Sequence, residues 1–252
     1  KAIRYYHNAI YAIWLSAPDA NRRKARLELV QLFLKQKAFA QAQAELIAMA
    51  SNLPEDSALH LQAADLFLEV QDYEHALLQY RYVLRLEHKN ENAHAGAGRA
   101  AFELGQYAEA KSYLQAALAI NPADQDAVRL LRSAELVLNQ DPFGRRLTDS
   151  ERARRVLHAF NLASRRLNEC APNRESPSGQ AAADPLQSLL PDWTTLKPKV
   201  GLARLARSPQ LRDAVMDLVF RIESAAGTGC GTPSQEDSAL LLISRDRERN
   251  ER

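Results

Sequence analysis

The chain has 252 residues, a formal net charge of +2, 46% hydrophobic and 25% charged residues, the make-up of an ordinary soluble globular protein with room for one large or two small domains. So small a charge argues against a nucleic-acid partner, whose binding rests on neutralising a row of phosphates. No run of about 18 apolar residues is present to span a bilayer, so membrane anchoring or secretion would rest on residues before Lys1, absent from this chain.

Ala, Leu, Glu, Gln and Arg abound and stretches of Val, Ile and Thr are scarce, which predicts helices and few or no strands. Residues 2–15 (AIRYYHNAIYAIWL) read as a helix whose Tyr6, Tyr11 and Trp14 pack on the segment that follows. Segments 23–56, 57–90 and 91–124 then align without gaps at a 34-residue step. The third reads ENAHAGAGRAAFELGQYAEAKSYLQAALAINPAD. It places Gly98 within a first helix, Gly105 at a hairpin turn and Tyr107 at the start of a second helix. Ala110 and Ala117 stand where helices touch, and Pro122 closes the unit. The second segment matches with Ala64, Phe67, Tyr73, Ala76 and Tyr80, but has Gln71 at the turn and His88 in place of Pro. The first matches with Leu29, Phe33, Phe39, Ala42, Leu46 and Pro54, but has Val30 in place of Gly98. Residues 125–140 (QDAVRLLRSAELVLNQ) read as a capping helix that stops at Asp141-Pro142, because Pro cannot continue a helix.

This 34-residue pattern resembles the tetratricopeptide repeat. The resemblance implies an all-α tetratricopeptide superhelix of about three full repeats with flanking helices over 1–142, followed by a small helical domain over 143–252. In that family the first helix of each hairpin lines a concave face. The positions that map to it are Leu27, Glu28, Gln31 and Leu34, then Leu61, Gln62, Asp65 and Leu68, then Arg99, Phe102 and Glu103. Leu34, Leu68 and Phe102 hold one place in successive repeats and predict an apolar strip with polar edges, suited to a peptide. Ala95 and Gly96 leave room beside it for a bulky partner side chain. The alternative is a groove filled by the chain's own C-terminal helices. Family members that hold the acidic tails of heat-shock chaperones use Lys, Asn and Arg. The equivalent places here carry Leu27, Gln31, Gln62, Asn92 and Gly96, which argues against that ligand.

Beyond Pro142 the period is lost. Thr148-Asp149-Ser150-Glu151 is a capping box opening a helix to about Cys170. Its apolar stripe is Ala153, Val156, Leu157, Phe160, Ala163, Leu167 and Cys170. Arg152, Arg154, Arg155, Arg165 and Arg166 lie on its other face and read as solvated, diluted by Glu151 and Glu169. The alternative for that face is an anionic lipid or an acidic partner. Residues 171–184 read as a loop, and Leu186–Leu190 and Val200–Arg207 as short helices interrupted by Pro191 and Pro198. Ser208-Pro209 starts a helix to about Ala226 that buries Leu211, Val215, Leu218, Val219 and Ile222. Residues 227–233 read as a loop, and Ser234–Asp237 caps a last helix whose end, from Arg245, is expected to fray. The stretch DPFGRRLTDSERARRVLHAFNLASRRLNEC, with CGTP and ALLLISR, is similar to the carboxy-terminal part of bacterial tetratricopeptide proteins of unassigned role. That likeness implies a fold and no activity.

The two cysteines, Cys170 and Cys230, are a candidate disulfide, which would favour a periplasmic or envelope setting; the alternative is two free thiols. No His neighbours either Cys in sequence, so a zinc site is not indicated. His60 and His94 recur at the repeat step and read as packing between helices. No HExxH, GxSxG or phosphate loop occurs, so no cofactor, metal or catalytic constellation is predicted. The sequence therefore points to a scaffold that binds a protein or peptide partner. The alternatives are a structural subunit of an envelope or membrane-associated assembly and, more remotely, an enzyme centred on the second half.

Overall fold

The computed structural model describes residues 2–170, 185–227 and 230–251. These hold thirteen α-helices and no strand. The chain forms two compact units, Lys1–Leu131 and Arg132–Arg252. The division falls inside α8 (Gln125–Gln140), whereas the sequence places the end of the array at Pro142.

The first unit contains α1 (Ala2–Ile10), α2 (Pro18–Lys35), α3 (Phe39–Ala50), α4 (Ser57–Glu69), α5 (Tyr73–Leu86), α6 (Glu91–Glu103) and α7 (Tyr107–Ile120). Helix α2 packs on α3, α4 on α5 and α6 on α7, and each pair packs on the next. Small residues permit the close approach: Ala42, Ala76 and Ala110 recur at the repeat step and are fully buried. At Gly98 an added Cβ would lie 2.6 Å from the Leu114 side chain, so only Gly lets α7 sit that close.

The repeat step also returns at three polar or strained positions. Asp56, Asn90 and Asp124 each accept hydrogen bonds from free backbone N–H groups of the helix that follows, namely Ala58 and Leu59, Ala93, and Asp126 and Ala127. The His60 and His94 Nε2 atoms reach the carbonyls of Pro54 and His88, six residues back, at 3.1 and 2.9 Å. Each ring thereby fixes the turn between hairpins. Lys37, Gln71 and Gly105 hold the hairpin turn at φ 56°, 61° and 76°. Only glycine adopts that left-handed conformation without steric cost. Lys37 and Gln71 have exposed side chains, so Lys37→Gly and Gln71→Gly remove strain and no packing. Each is expected to raise stability by about 1 kcal/mol in chemical denaturation.

The N-terminal helix is shorter than the sequence suggests. It ends at Ile10, Tyr11 is 76% exposed, and the Trp14 indole donates back to the Ala9 carbonyl. Pro18 opens α2 and disfavours a helical residue before it; Ala17 takes φ 43°, so the chain cannot run straight on.

The second unit contains α9 (Asp149–Cys170), α10 (Leu190–Leu196), α11 (Leu202–Arg207), α12 (Pro209–Gly227) and α13 (Gln235–Glu251). Helices α11, α12 and α13 all pack on α9. Val156, Ala163 and Leu167 of α9, Val215, Val219 and Ile222 of α12 and Leu240 of α13 are fully buried where these helices pack. Thr148, Ser208 and Ser234 cap their helices through Glu151, Leu211 and Asp237 N–H groups. The Arg155 guanidinium donates to the Leu138 and Asp141 carbonyls at 2.7 and 2.8 Å, satisfying the last turn of α8. Pro191 lies in the first turn of α10 and does not interrupt it. The tail expected to fray is helical, with Arg247 paired to Asp217 at 3.0 Å and its guanidinium over the Phe143 ring. Residues 171–184, expected as a loop, lie outside the described residues, as do 228–229 of the expected 227–233 loop.

Candidate functional site

The candidate groove residues lie on three successive first helices: Leu27, Glu28, Gln31 and Leu34 on α2, Leu61, Gln62, Asp65 and Leu68 on α4, Arg99, Phe102 and Glu103 on α6. Glu28, Gln31, Gln62, Asp65 and Arg99 are exposed, while Leu27, Leu34, Leu61 and Leu68 are half-buried. Leucines in that state keep apolar surface in water on a packed base. Phe102 differs from the expectation. It is 7% exposed and packs edge-on against Tyr107 with ring centroids 5.3 Å apart. The larger ring reaches across the hairpin into the core, so the apolar strip is carried by the leucines.

Beside Gly96 the expected room is filled from within the chain. The Tyr80 ring of α5 lies where a Gly96 Cβ would be, 2.2 Å from its nearest ring atom. Tyr80 is 1% exposed, and its hydroxyl donates to Asp65 Oδ1 at 2.6 Å. Burial raises the phenol above its ordinary range; donation to Asp65 and the Asp65 charge add to this, and Arg99 opposes it. Tyr80 therefore joins α4, α5 and α6, and one oxygen of Asp65 is committed to it. Residues 46, 80 and 114 occupy one place in the repeats and read Leu, Tyr, Leu. The extra size at Tyr80, with glycine at 96, was the sequence signal for this contact.

A second polar node stands at the start of α5. Burial alone would raise the Asp72 carboxyl, but hydrogen bonds from the Gln43 amide at 2.7 Å and from the His75 ring and backbone hold it below the usual range. Asp72 thereby caps α5 and links it to α3.

Residues 67–135 match the tetratricopeptide repeat family model. The matched residues are tetratricopeptide repeats within an all-α fold. Among solved structures, the chain is similar to the second TPR domain of the human RPAP3 protein, determined by NMR in complex with the HSP70 peptide SGPTIEEVD. The likeness has 23% identity and a TM-score of 0.38, and covers 44% of this chain and 92% of that one. The comparison with curated proteins returns no match. The matched segment runs from the last turn of α4 through α5, α6 and α7 to residue 135 of α8. It therefore includes Tyr80, Gly96 and Arg99.

In the second unit, Cys170 and Cys230 are joined as a disulfide, with Cα atoms 5.6 Å apart. One turn before Cys170, Arg166 departs from the solvated face expected of it. It is buried, with Nε 3.6 Å from Glu223 and 3.7 Å from Asp237. Glu223 is 1% exposed, and neither of its oxygens has a hydrogen-bond partner. Burial, reinforced by the Asp237 charge and opposed by Arg166, pushes its carboxyl up to about 7. Arg152 and Arg155 also turn inward to backbone carbonyls, which leaves Arg154 and Arg165 exposed. Position 166 falls between Ala163 and Leu167 and Cys170, so it lies at the edge of the apolar stripe. Glu223 carried no sequence signal and Asp237 was legible only as part of a helix cap, because their shared partner Arg166 lies on another helix. Among the described residues, no group of three or more His, Cys, Asp or Glu is placed to hold a metal ion, and no helix is long and apolar enough to cross a membrane.

Proposed function

We propose that the chain is a protein-binding scaffold that takes a peptide or protein segment along α2, α4 and α6. The observation that carries this reading is the row of half-buried Leu27, Leu34, Leu61 and Leu68, edged by exposed Glu28, Gln31, Gln62, Asp65 and Arg99. Burial of partner apolar groups on the leucines supplies affinity, and the polar edge sets register. Protein binding is the common use of tetratricopeptide arrays, and no reaction chemistry is assigned to this one.

The test is crosslinking and capture of partners from the native source with wild type and the Leu34→Asp/Leu68→Asp variant side by side, the fold checked by circular dichroism. A partner held by wild type and weakened at least about tenfold in the variant supports the groove, since each buried leucine contributes about 1.5–3 kcal/mol. Equal capture by both moves recognition to the second helices, where Phe39, Ile47, Leu78 and Ile120 are exposed. Those apolar positions favour the second reading, a structural subunit of a larger assembly.

A further inference from the structure

The second unit concentrates three devices at the head of α13. Cys230, five residues before its first residue, is bonded to the last residue of α9. Asp237, in its first turn, accepts from the Ser234 N–H at 2.9 Å and so closes the helix cap. The same carboxylate faces Arg166 of α9, which in turn faces Glu223 of α12, and Arg166 Nη1 donates to the Cys230 carbonyl at 3.5 Å. Each of the three charged side chains is about nine-tenths buried or more. With both carboxylates ionised the cluster holds a net charge of −1 out of water; with one protonated it is neutral. Asp237 and Arg166 are the charges that act on Glu223. Nearby, His158 and Arg165 of α9 turn to Glu236 of α13 on the exposed flank at 3.9 and 4.0 Å. Asp192 and Asp149 pair with Arg221 and Arg212.

We propose that the Cys170–Cys230 bond and the Arg166–Glu223–Asp237 cluster together form a latch on the head of α13, opened by a dithiol reductant. Cys170 is buried and Cys230 half-exposed, so a reductant thiolate attacks the Cys230 sulfur and Cys170 leaves as thiolate. The second thiol of the reductant then resolves the mixed disulfide. The protein gains two electrons and two protons as two thiols, and the reductant becomes a disulfide. While the bond is closed, α13 is held whatever the state of the cluster. Once it is open, the head of α13 rests on the cluster, the exposed pairs of Glu236 with His158 and Arg165 and the apolar contacts of Ala239, Leu240 and Ile243, while Arg247 holds the far end of the helix to Asp217 and Phe143.

The open latch depends on pH with a fixed sign. Glu223 binds its proton more tightly when α13 is docked than when it is released into water. The docking it contributes is therefore complete below the ordinary Glu value of 4.5, fades as pH rises towards about 7, and levels off above. Reduced protein releases α13 near neutrality and keeps it in mild acid.

The experiment is hydrogen–deuterium exchange by mass spectrometry on the full chain, oxidised and reduced, at mild acid and at mild alkali, corrected for the intrinsic pH dependence of exchange. The expected result is protection of α13 in oxidised protein at both conditions. In reduced protein, exchange confined to α13 rises more than about tenfold on going to alkali. Cys170→Ser/Cys230→Ser reproduces the reduced behaviour without reductant. Glu223→Gln, which keeps the shape of the protonated acid, removes the pH dependence in reduced protein. Three outcomes overturn the latch: α13 exchange unaltered by reduction, α9 and α12 losing protection along with α13, or a pH dependence that survives Glu223→Gln.

Discussion

Arg166→Met is expected to lower the stability of the second unit by about 3–5 kcal/mol near neutral pH, because it leaves two buried carboxylates without their cation. Both Glu223 and Asp237 are buried against Arg166, so the variant is expected to take up protons to stay folded. Its loss is therefore expected to be smaller in mild acid than at alkaline pH, and urea denaturation at the two conditions reads the difference. Wild type has the same sign on a smaller scale. With Glu223 raised to about 7, the unit loses stability on the order of 3 kcal/mol as pH rises from the ordinary Glu value towards 7. Replacing Arg166, Glu223 and Asp237 together by apolar residues of similar volume is expected to be neutral or stabilising, since the desolvation of all three charges is then avoided. If Arg166→Met alone is neutral at both conditions, the three charges are not buried together.

Much of the array was written in the sequence because its determinants lie within one repeat or recur at a fixed step. The hairpin turns at Lys37, Gln71 and Gly105, and the buried Ala42, Ala76 and Ala110, all fall on the 34-residue step. The first-helix positions of the candidate groove follow from the same register. What the register could not show was which neighbour fills a gap. Gly96 read as room for a partner, but Tyr80 of the adjacent hairpin takes that space. Phe102 read as part of the strip, but its ring turns to Tyr107. In the second unit the helix starts were legible from local capping pairs, such as Ser234 with Asp237. The side on which each arginine ends was not, because Arg155 and Arg166 are drawn inward by carbonyls and carboxylates distant in sequence, and Arg152 by carbonyls of the turn just before its own helix. A helical wheel reports an average face; burial of a single arginine at its edge is decided by the partner helix.

Tyr80→Ala is expected to cost about 3–5 kcal/mol, measured by chemical denaturation, as the deletion of a fully buried aromatic ring between three helices. Tyr80→Phe isolates the hydroxyl and is expected to cost about 1 kcal/mol, because Asp65 is exposed and water can replace the donor. The decisive comparison uses Gly96. In wild type, Gly96→Ala drives a Cβ into the Tyr80 ring and is expected to cost about 1–3 kcal/mol. In a Tyr80→Leu background, where the neighbouring repeat's Leu114 shows that the smaller side chain is compatible with this place, the same change removes the clash. The helical preference of Ala over Gly, about 1 kcal/mol, then decides the sign and Gly96→Ala becomes stabilising. Such a reversal cannot arise from helix propensity alone, which is common to both backgrounds; it requires direct contact between residues 80 and 96. The same pair of backgrounds reaches the proposed groove, because the Tyr80 hydroxyl holds Asp65. Loss of that bond in Tyr80→Leu is expected to weaken partner binding where Asp65 sets register, while Leu34 and Leu68 remain in place.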